Sequence, residues 1–73
     1  MSKLTAQLAS VPDRENVVYE IYSDSDQVAE VSNEPDTGIR IEIFPCTNSN
    51  GIWSFDFNEF YTLIEQARMN ITI

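Results

Sequence analysis

The chain has 73 residues, and twelve acidic residues outnumber four basic ones for a formal net charge of −8. Its length suits one domain at most, and its 42% hydrophobic content favours a packed core over a disordered chain. The negative charge argues against direct binding to nucleic acid or to anionic membranes, because both surfaces attract Lys and Arg. We therefore expect one acidic globular domain over residues 1–73 that meets a basic surface.

The compartment is indicated by the single cysteine and by the lack of long apolar runs. Cys46 permits no internal disulfide, which suits a reducing compartment. No apolar run follows Lys3 as in a signal peptide, and none approaches the roughly 20 residues that cross a membrane. We expect a cytoplasmic protein that does not act at a membrane.

The N-terminal segment is ambiguous. Leu4, Leu8 and Val11 fit a helical stripe, whereas Leu4, Ala6 and Leu8 also fit strict alternation. The pattern favours a short helix or an irregular arm over residues 1–13. Pro12 then ends this segment, because it biases the preceding residue away from helix.

Alternating apolar and polar residues over 15–55 predict antiparallel strands joined by polar turns. Short polar residues at 23–26 and at 33–38 mark two of these turns, and Asn50-Gly51 is a strong hairpin signal. The predicted strands are Glu15–Tyr22, Gln27–Ser32, Ile39–Phe44 and Ile52–Phe55.

A helix is predicted over residues 56–70. Asp56 and Glu59 have the spacing of a capping box, and Phe55 and Phe60 that of a hydrophobic staple. Apolar residues then recur at steps of three and four as far as Ile71. We expect this helix to pack on one face of the four-stranded antiparallel sheet, which gives a small two-layer α+β domain. The predicted core between sheet and helix contains Ile39, Ile41, Ile43, Phe55, Phe60, Ile64 and Ala67.

Most catalytic and metal-binding arrangements are excluded by residue inventory. With no histidine and one cysteine, the chain cannot form a Ser-His-Asp triad or a common zinc site. Asp24, Asp26 and Glu30 have part of the spacing of a calcium loop, but Ala29 stands where that loop needs glycine. We expect no enzyme activity, no cofactor and no metal.

Acidic residues concentrate between residues 13 and 36, where eight acids accompany one base, Arg14. If the second and third strand-forming segments pair, their carboxylates form one negative surface with tyrosine beside it. Such a surface suits a basic partner, since tyrosine supplies contact area at low entropic cost. The alternative is an outer face that only keeps the protein soluble. The candidate partner-binding residues are Glu20, Tyr22, Asp24, Asp26 and Glu30.

Trp53 and Cys46 each allow two interpretations. Trp53 alternates with Phe55, so it lies either in the core or on the sheet surface, and the core is favoured because tryptophan is buried on average. Cys46 follows Pro45 in a loop without a neighbouring base that would lower its pKa. It is interpreted as an incidental thiol rather than a nucleophile.

Five short segments along most of the chain form a further pattern, and they are Val11–Asn16, Val28–Val31, Ile41–Phe44, Trp53–Asp56 and Gln66–Arg68. Together they resemble segments of small bacterial immunity proteins, which are encoded beside polymorphic or contact-dependent toxins.

This resemblance implies stoichiometric, noncatalytic inhibition of a toxin domain. The expected function is therefore that of an immunity or antitoxin protein whose acidic surface binds a basic toxin domain, for instance a nuclease. One alternative is an acidic inhibitor of phage type that mimics nucleic acid, and another is an accessory subunit of a larger complex. The sequence leaves the oligomeric state open.

Overall fold

A computed structural model of the protein describes residues 3–47 and 51–71. These residues form four strands and one helix, in the order β1 to β4 and then α1. The bounds are β1 Leu4–Ala9, β2 Val18–Ser23, β3 Asp26–Glu34, β4 Gly38–Ile43 and α1 Phe57–Ile71.

The strands form one antiparallel sheet in chain order, so every strand pairs with its neighbour in sequence. The strands that lie at the two edges are therefore β1 and β4. Ile21 lies opposite Ala6 on one side and Ala29 on the other, and Ala29 lies opposite Ile43. Because directly paired residues share a face, these side chains all lie on one face of the sheet, which we call the helix face.

The turn between β2 and β3 has two residues, and Asp24 in it has a φ of 56°. Aspartate tolerates this left-handed conformation better than most residues, because its short side chain can bond nearby backbone. A shift of register between Ile21 and Tyr22 adds an irregularity at the end of this hairpin. Gly38 opens β4 with a φ of 72°, which glycine adopts without steric cost.

The helix begins where the sequence predicts. Asp56 accepts the backbone N–H of Glu59 at 3.0 Å, which satisfies one of the donors left free at a helix start. The rings of Phe55 and Phe60 stack with centroids 5.6 Å apart, as a hydrophobic staple requires. Trp53 stacks on Phe55 at 5.8 Å and donates its indole N–H to the carbonyl of Phe44 at 2.9 Å.

The core lies between α1 and the first three strands. Trp53, Phe55, Phe60 and Ile64 are partly buried and pack against it, so Trp53 belongs to the edge of the core. The buried members of this cluster are Leu4, Tyr19, Ile21, Val28, Ala29, Val31, Ala67 and Ile71. The predicted α+β architecture, a four-stranded antiparallel sheet with one C-terminal helix on one face, is confirmed.

The identity of the fourth strand differs from the prediction. Residues 4–9 are a strand rather than an arm or a short helix, and the alternation of Leu4, Ala6 and Leu8 is the pattern that the structure uses. Ile52–Phe55, predicted to be a strand, is instead an irregular connection that carries Trp53 and Phe55 onto the core. Asn50, the first residue of the predicted hairpin turn, lies outside the described residues.

The prediction that three isoleucines of β4 belong to the core is wrong. Ile39, Ile41 and Ile43 are exposed by 49%, 41% and 63%, although they lie on the helix face. The reason is the width of the helix. A helix about 10–12 Å across cannot cover four strands spaced about 4.8 Å apart. It lies over β1, β2 and β3, so the apolar side of β4 stays uncovered.

Candidate binding surface

The face of the sheet opposite the helix, which we call the outer face, carries a row of polar side chains. Strand register places Gln7 opposite Glu20, Glu20 opposite Glu30, and Glu30 opposite Glu42. One polar residue from each strand therefore stands in a line across the sheet. Three neighbouring carboxylates repel one another unless they are neutralised or hydrogen-bonded.

Arg14 neutralises two of these carboxylates. Its Nε donates to Glu30 at 3.0 Å, and its Nη2 pairs with both Glu30 and Glu42. The hydrogen bond to Glu30 raises the pKa of Arg14 above its usual value. Burial opposes this rise, and the charges of Glu30 and Glu42 add to it. Glu30 is thus part of an ion-paired cluster rather than a free carboxylate.

Glu20 is satisfied by neutral donors. Its Oε1 accepts the side-chain amide of Gln7 at 2.9 Å and the hydroxyl of Tyr22 at 3.3 Å, and the residue is only 9% exposed. Burial, followed by the nearby charge of Glu20, raises the pKa of Tyr22. The phenol therefore stays protonated near neutral pH and can keep donating to Glu20.

Arg14 is positioned by Glu34, a residue that sequence reasoning did not single out. Buried Glu34 accepts the backbone N–H of Glu15 at 2.8 Å and that of Asn16 at 3.0 Å. These two hydrogen bonds hold the pKa of Glu34 below its usual range. Asn16 also donates its side-chain amide to the carbonyl of Asn33 at 2.6 Å. The segment between β1 and β2 is thereby tied to the end of β3.

A cleft of about 400 Å³ lies beside this cluster on the outer face. Its walls combine apolar side chains with both signs of charge, so it can accept a side chain that carries an apolar stem and a polar end. The residues that line it are Val11, Asp13, Arg14, Glu30, Glu42 and Phe44.

The exposed carboxylates among the predicted site residues lie at the tip of the β2–β3 hairpin. Asp24 and Asp26 are exposed, whereas Glu20 is buried and Glu30 is paired with Arg14. Within residues 3–47 and 51–71, the ion pairs are made by Arg14 and Arg68. The structure thus brings Glu20, Tyr22 and Glu30 together on the outer face and places the two aspartates at one end of it.

Arg14 could have been found from the sequence, because it is the one base among eight acids between residues 13 and 36. Glu34 gave no such signal, since its role depends on where the chain between β1 and β2 folds back. Cys46 is half-buried and unpaired in the loop after β4.

The described residues, 3–47 and 51–71, also bear on metal binding and on membranes. No group of three or more acidic, histidine or cysteine residues in this part of the chain is arranged to hold a metal ion. The described helix is too short and too polar to cross a membrane.

No protein-family model, curated protein or solved structure matches this chain.

Proposed function

We propose that this protein is a noncatalytic binding protein that neutralises a basic toxin domain, as bacterial immunity proteins do. It acts in the cytoplasm by covering the toxin's substrate site or an adjoining surface. The contact surface contains Tyr22, Asp24 and Asp26 at the hairpin tip, together with Glu20 and Glu30 on the outer face. The net charge of −8 and the sequence resemblance to immunity proteins support this proposal.

The observation that carries the proposal is the pair of exposed carboxylates at the end of the β2–β3 hairpin. Asp24 lies in the two-residue turn and Asp26 is the first residue of β3, so both exposed charges lie close together at the tip of the hairpin. Unpaired charges on a projection favour steering of an oppositely charged partner, because they are not neutralised from within.

The five residues have different roles in this surface. Asp24 and Asp26 supply the long-range attraction, and half-buried Tyr22 supplies contact area. Glu20 fixes the phenol of Tyr22 through the 3.3 Å hydrogen bond. Glu30 holds Arg14 in place, which gives the outer face a defined shape before any partner arrives.

The nucleic-acid mimic receives less support from the geometry. Such a protein needs a series of unpaired carboxylates that stand in for phosphates. The carboxylate row on the outer face is instead interrupted by Arg14, which pairs with Glu30 and Glu42. A basic protein that meets the hairpin tip fits this charge distribution better.

The test is association kinetics with the toxin domain encoded by the neighbouring gene, together with protection of cells that express that toxin. The double variant Asp24→Asn/Asp26→Asn removes both charges, and asparagine tolerates the left-handed conformation at residue 24. We expect association to slow by about two- to tenfold, with higher salt slowing the native protein in the same way.

The matched control is Asp36→Asn, which removes an exposed aspartate from the turn at the other end of β3. It should change association less than the double variant does. Equal slowing by both variants would show that total charge, not the hairpin tip, determines the rate. Unchanged kinetics and full protection with the double variant would place the contact elsewhere. No binding to the neighbouring toxin would exclude the immunity function.

A further inference from the structure

A second surface of the molecule consists of the uncovered side of β4 and the adjacent side of α1. Ile39, Ile41 and Ile43 are exposed on the helix face of β4. Phe57 and Tyr61 are also exposed, by 77% and 56%, and stack with centroids 6.1 Å apart. Exposed apolar side chains that group together in this way mark interaction surfaces.

The two elements enclose an apolar groove of about 180 Å³. Ile64 lies on its helix side, and the helical spacing of 57, 61 and 64 continues the apolar stripe towards the start of α1. The groove is lined by Val31, Ile39, Arg40, Ile41, Ile64 and Arg68.

The backbone of β4 is also arranged for a further strand. Among the described residues β4 pairs with β3 alone. The N–H of Phe44 donates to the carbonyl of Val28 at 2.8 Å. The backbone groups of Phe44 therefore point towards β3. Since this direction alternates along a strand of an antiparallel pair, Ile39, Ile41 and Ile43 direct their backbone groups away from β3. The three isoleucines thus present both backbone hydrogen-bonding groups and apolar side chains at one edge.

The sequence of β4 is complementary to itself in one antiparallel register. When Ile41 stands opposite Ile41 of a second copy, Ile39 faces Ile43, and Arg40 faces Glu42. A shift by one residue on each strand would instead place Arg40 opposite Arg40, or Glu42 opposite Glu42. Opposite charges across a pair stabilise a sheet and like charges destabilise it. The register centred on Ile41 also uses all three outward-facing backbone positions.

We propose that two copies of this chain associate through β4 about a two-fold axis at Ile41. The two sheets then form one eight-stranded sheet, and both helices lie on the same face. Six isoleucines fill the space between the helices, while Arg40 and Glu42 of opposite copies pair on the outer face. Pairing also removes the exposed edge of β4, which contains neither lysine nor proline to discourage association.

The other edge strand provides the contrast. In β1, Leu4 is buried beneath the helix and belongs to the core, and Leu8 is the exposed apolar residue, at 50%. The edge at β1 therefore lacks a continuous row of exposed apolar side chains like that of β4. This dimer surface is separate from the hairpin tip and does not depend on the proposed function.

Sedimentation equilibrium of the full chain, from about 1 μM to about 1 mM, tests the proposal. We expect a concentration-dependent species with twice the 8.3 kDa mass of the chain. Ile41→Lys places two charges together at the two-fold axis and should leave a monomer. Leu8→Lys makes the same change at the β1 edge and should leave association unchanged.

A charge reversal at Arg40 tests the register and does not rely on Ile41→Lys folding. Arg40→Glu puts like charges opposite each other in the register centred on Ile41 and should raise the dissociation constant by about two- to thirtyfold. Arg40→Lys keeps the positive charge and should leave the dissociation constant nearly unchanged. A thermal unfolding midpoint for each variant confirms that it is folded.

Three results would overturn the proposal. The first is a native chain that stays monomeric up to the highest concentration. The second is association that Leu8→Lys disrupts as strongly as Ile41→Lys. The third is an Arg40→Glu variant that associates as tightly as the native chain, which would exclude the register centred on Ile41.

Discussion

Ile21 and Ile41 are the same residue type on the same face of the same sheet, yet their surroundings differ. Ile21 is fully buried at the centre of β2, whereas Ile41 is 41% exposed on β4. The difference arises from the width of α1, which lies over three strands of a sheet that has four in the described part of the chain. Alternation therefore shows which face of a strand is apolar, but not whether the rest of the chain can cover it.

The largest effect is expected for Ile21→Ala. Removing this fully buried side chain loses its transfer free energy and leaves a cavity, which should lower the free energy of unfolding by about 2–5 kcal/mol. Urea unfolding followed by tryptophan fluorescence measures this change. A loss below about 1 kcal/mol would mean that α1 does not close over β2 as described.

The helix start should show a smaller effect. Asp56→Ala removes the acceptor for the Glu59 N–H and should cost about 0.5–2 kcal/mol. Asn58→Ala, one residue inside the helix and exposed, is the control and should cost less. If Asn58→Ala were the more costly change, the helix would begin later and its cover over the sheet would be shorter.

Ile41→Ala should cost less again when it is measured at low protein concentration, where a monomer predominates. Its side chain is only partly buried, so we expect a loss of less than about 1.5 kcal/mol, well below that for Ile21→Ala. The ratio of the two decreases in the free energy of unfolding measures how much more α1 buries β2 than β4. Equal losses would show that β4 is buried in solution.

One face of the sheet is covered by apolar packing of α1, whereas the segment between β1 and β2 is held by polar contacts to Glu34. The smallest effect on stability is expected for these polar contacts. Backbone hydrogen bonds lower the pKa of Glu34 in the folded protein. The ionised carboxylate therefore contributes fully to stability at any pH above its pKa in the unfolded chain, which is about 4.3. That contribution is lost as the pH falls through the lower pKa that Glu34 has in the folded protein. The thermal midpoint of the native chain should therefore drop more between pH 6 and pH 3 than that of Glu34→Gln.

Glu15→Gln changes an exposed carboxyl on the same segment and serves as the control for this pH dependence. It should retain most of the native difference between the two pH values. If Glu34→Gln and the native protein lost stability in parallel, the two backbone hydrogen bonds to Glu34 would not hold the segment in place.

The sequence predicted correctly those features that depend on residues close together in the chain. The cap at Asp56 and the staple of Phe55 and Phe60 formed as expected, because each depends on residues within five positions of one another. The turn at Asp24 was predicted for the same reason. The class of the fold followed from these elements.

Features that depend on distant parts of the chain could not be predicted in this way. Whether Leu4–Ala9 forms a strand is decided by its pairing with β2, and the ambiguous periodicity was resolved wrongly. The ion pairs of Arg14 and the anchoring by Glu34 join residues 16 to 28 positions apart. The concentration of acids between residues 13 and 36 is visible in the sequence, but the pairing of Glu30 with Arg14 is not.

The position of the helix at the end of the described chain determines the order in which the fold can close during synthesis. All four strands leave the ribosome before α1, and each hairpin can form at once because its two strands are neighbours. Until α1 follows, however, Tyr19, Ile21 and Val31 have no cover. The nascent sheet is thus most exposed to aggregation or to chaperone capture in the interval between completion of β4 and completion of α1.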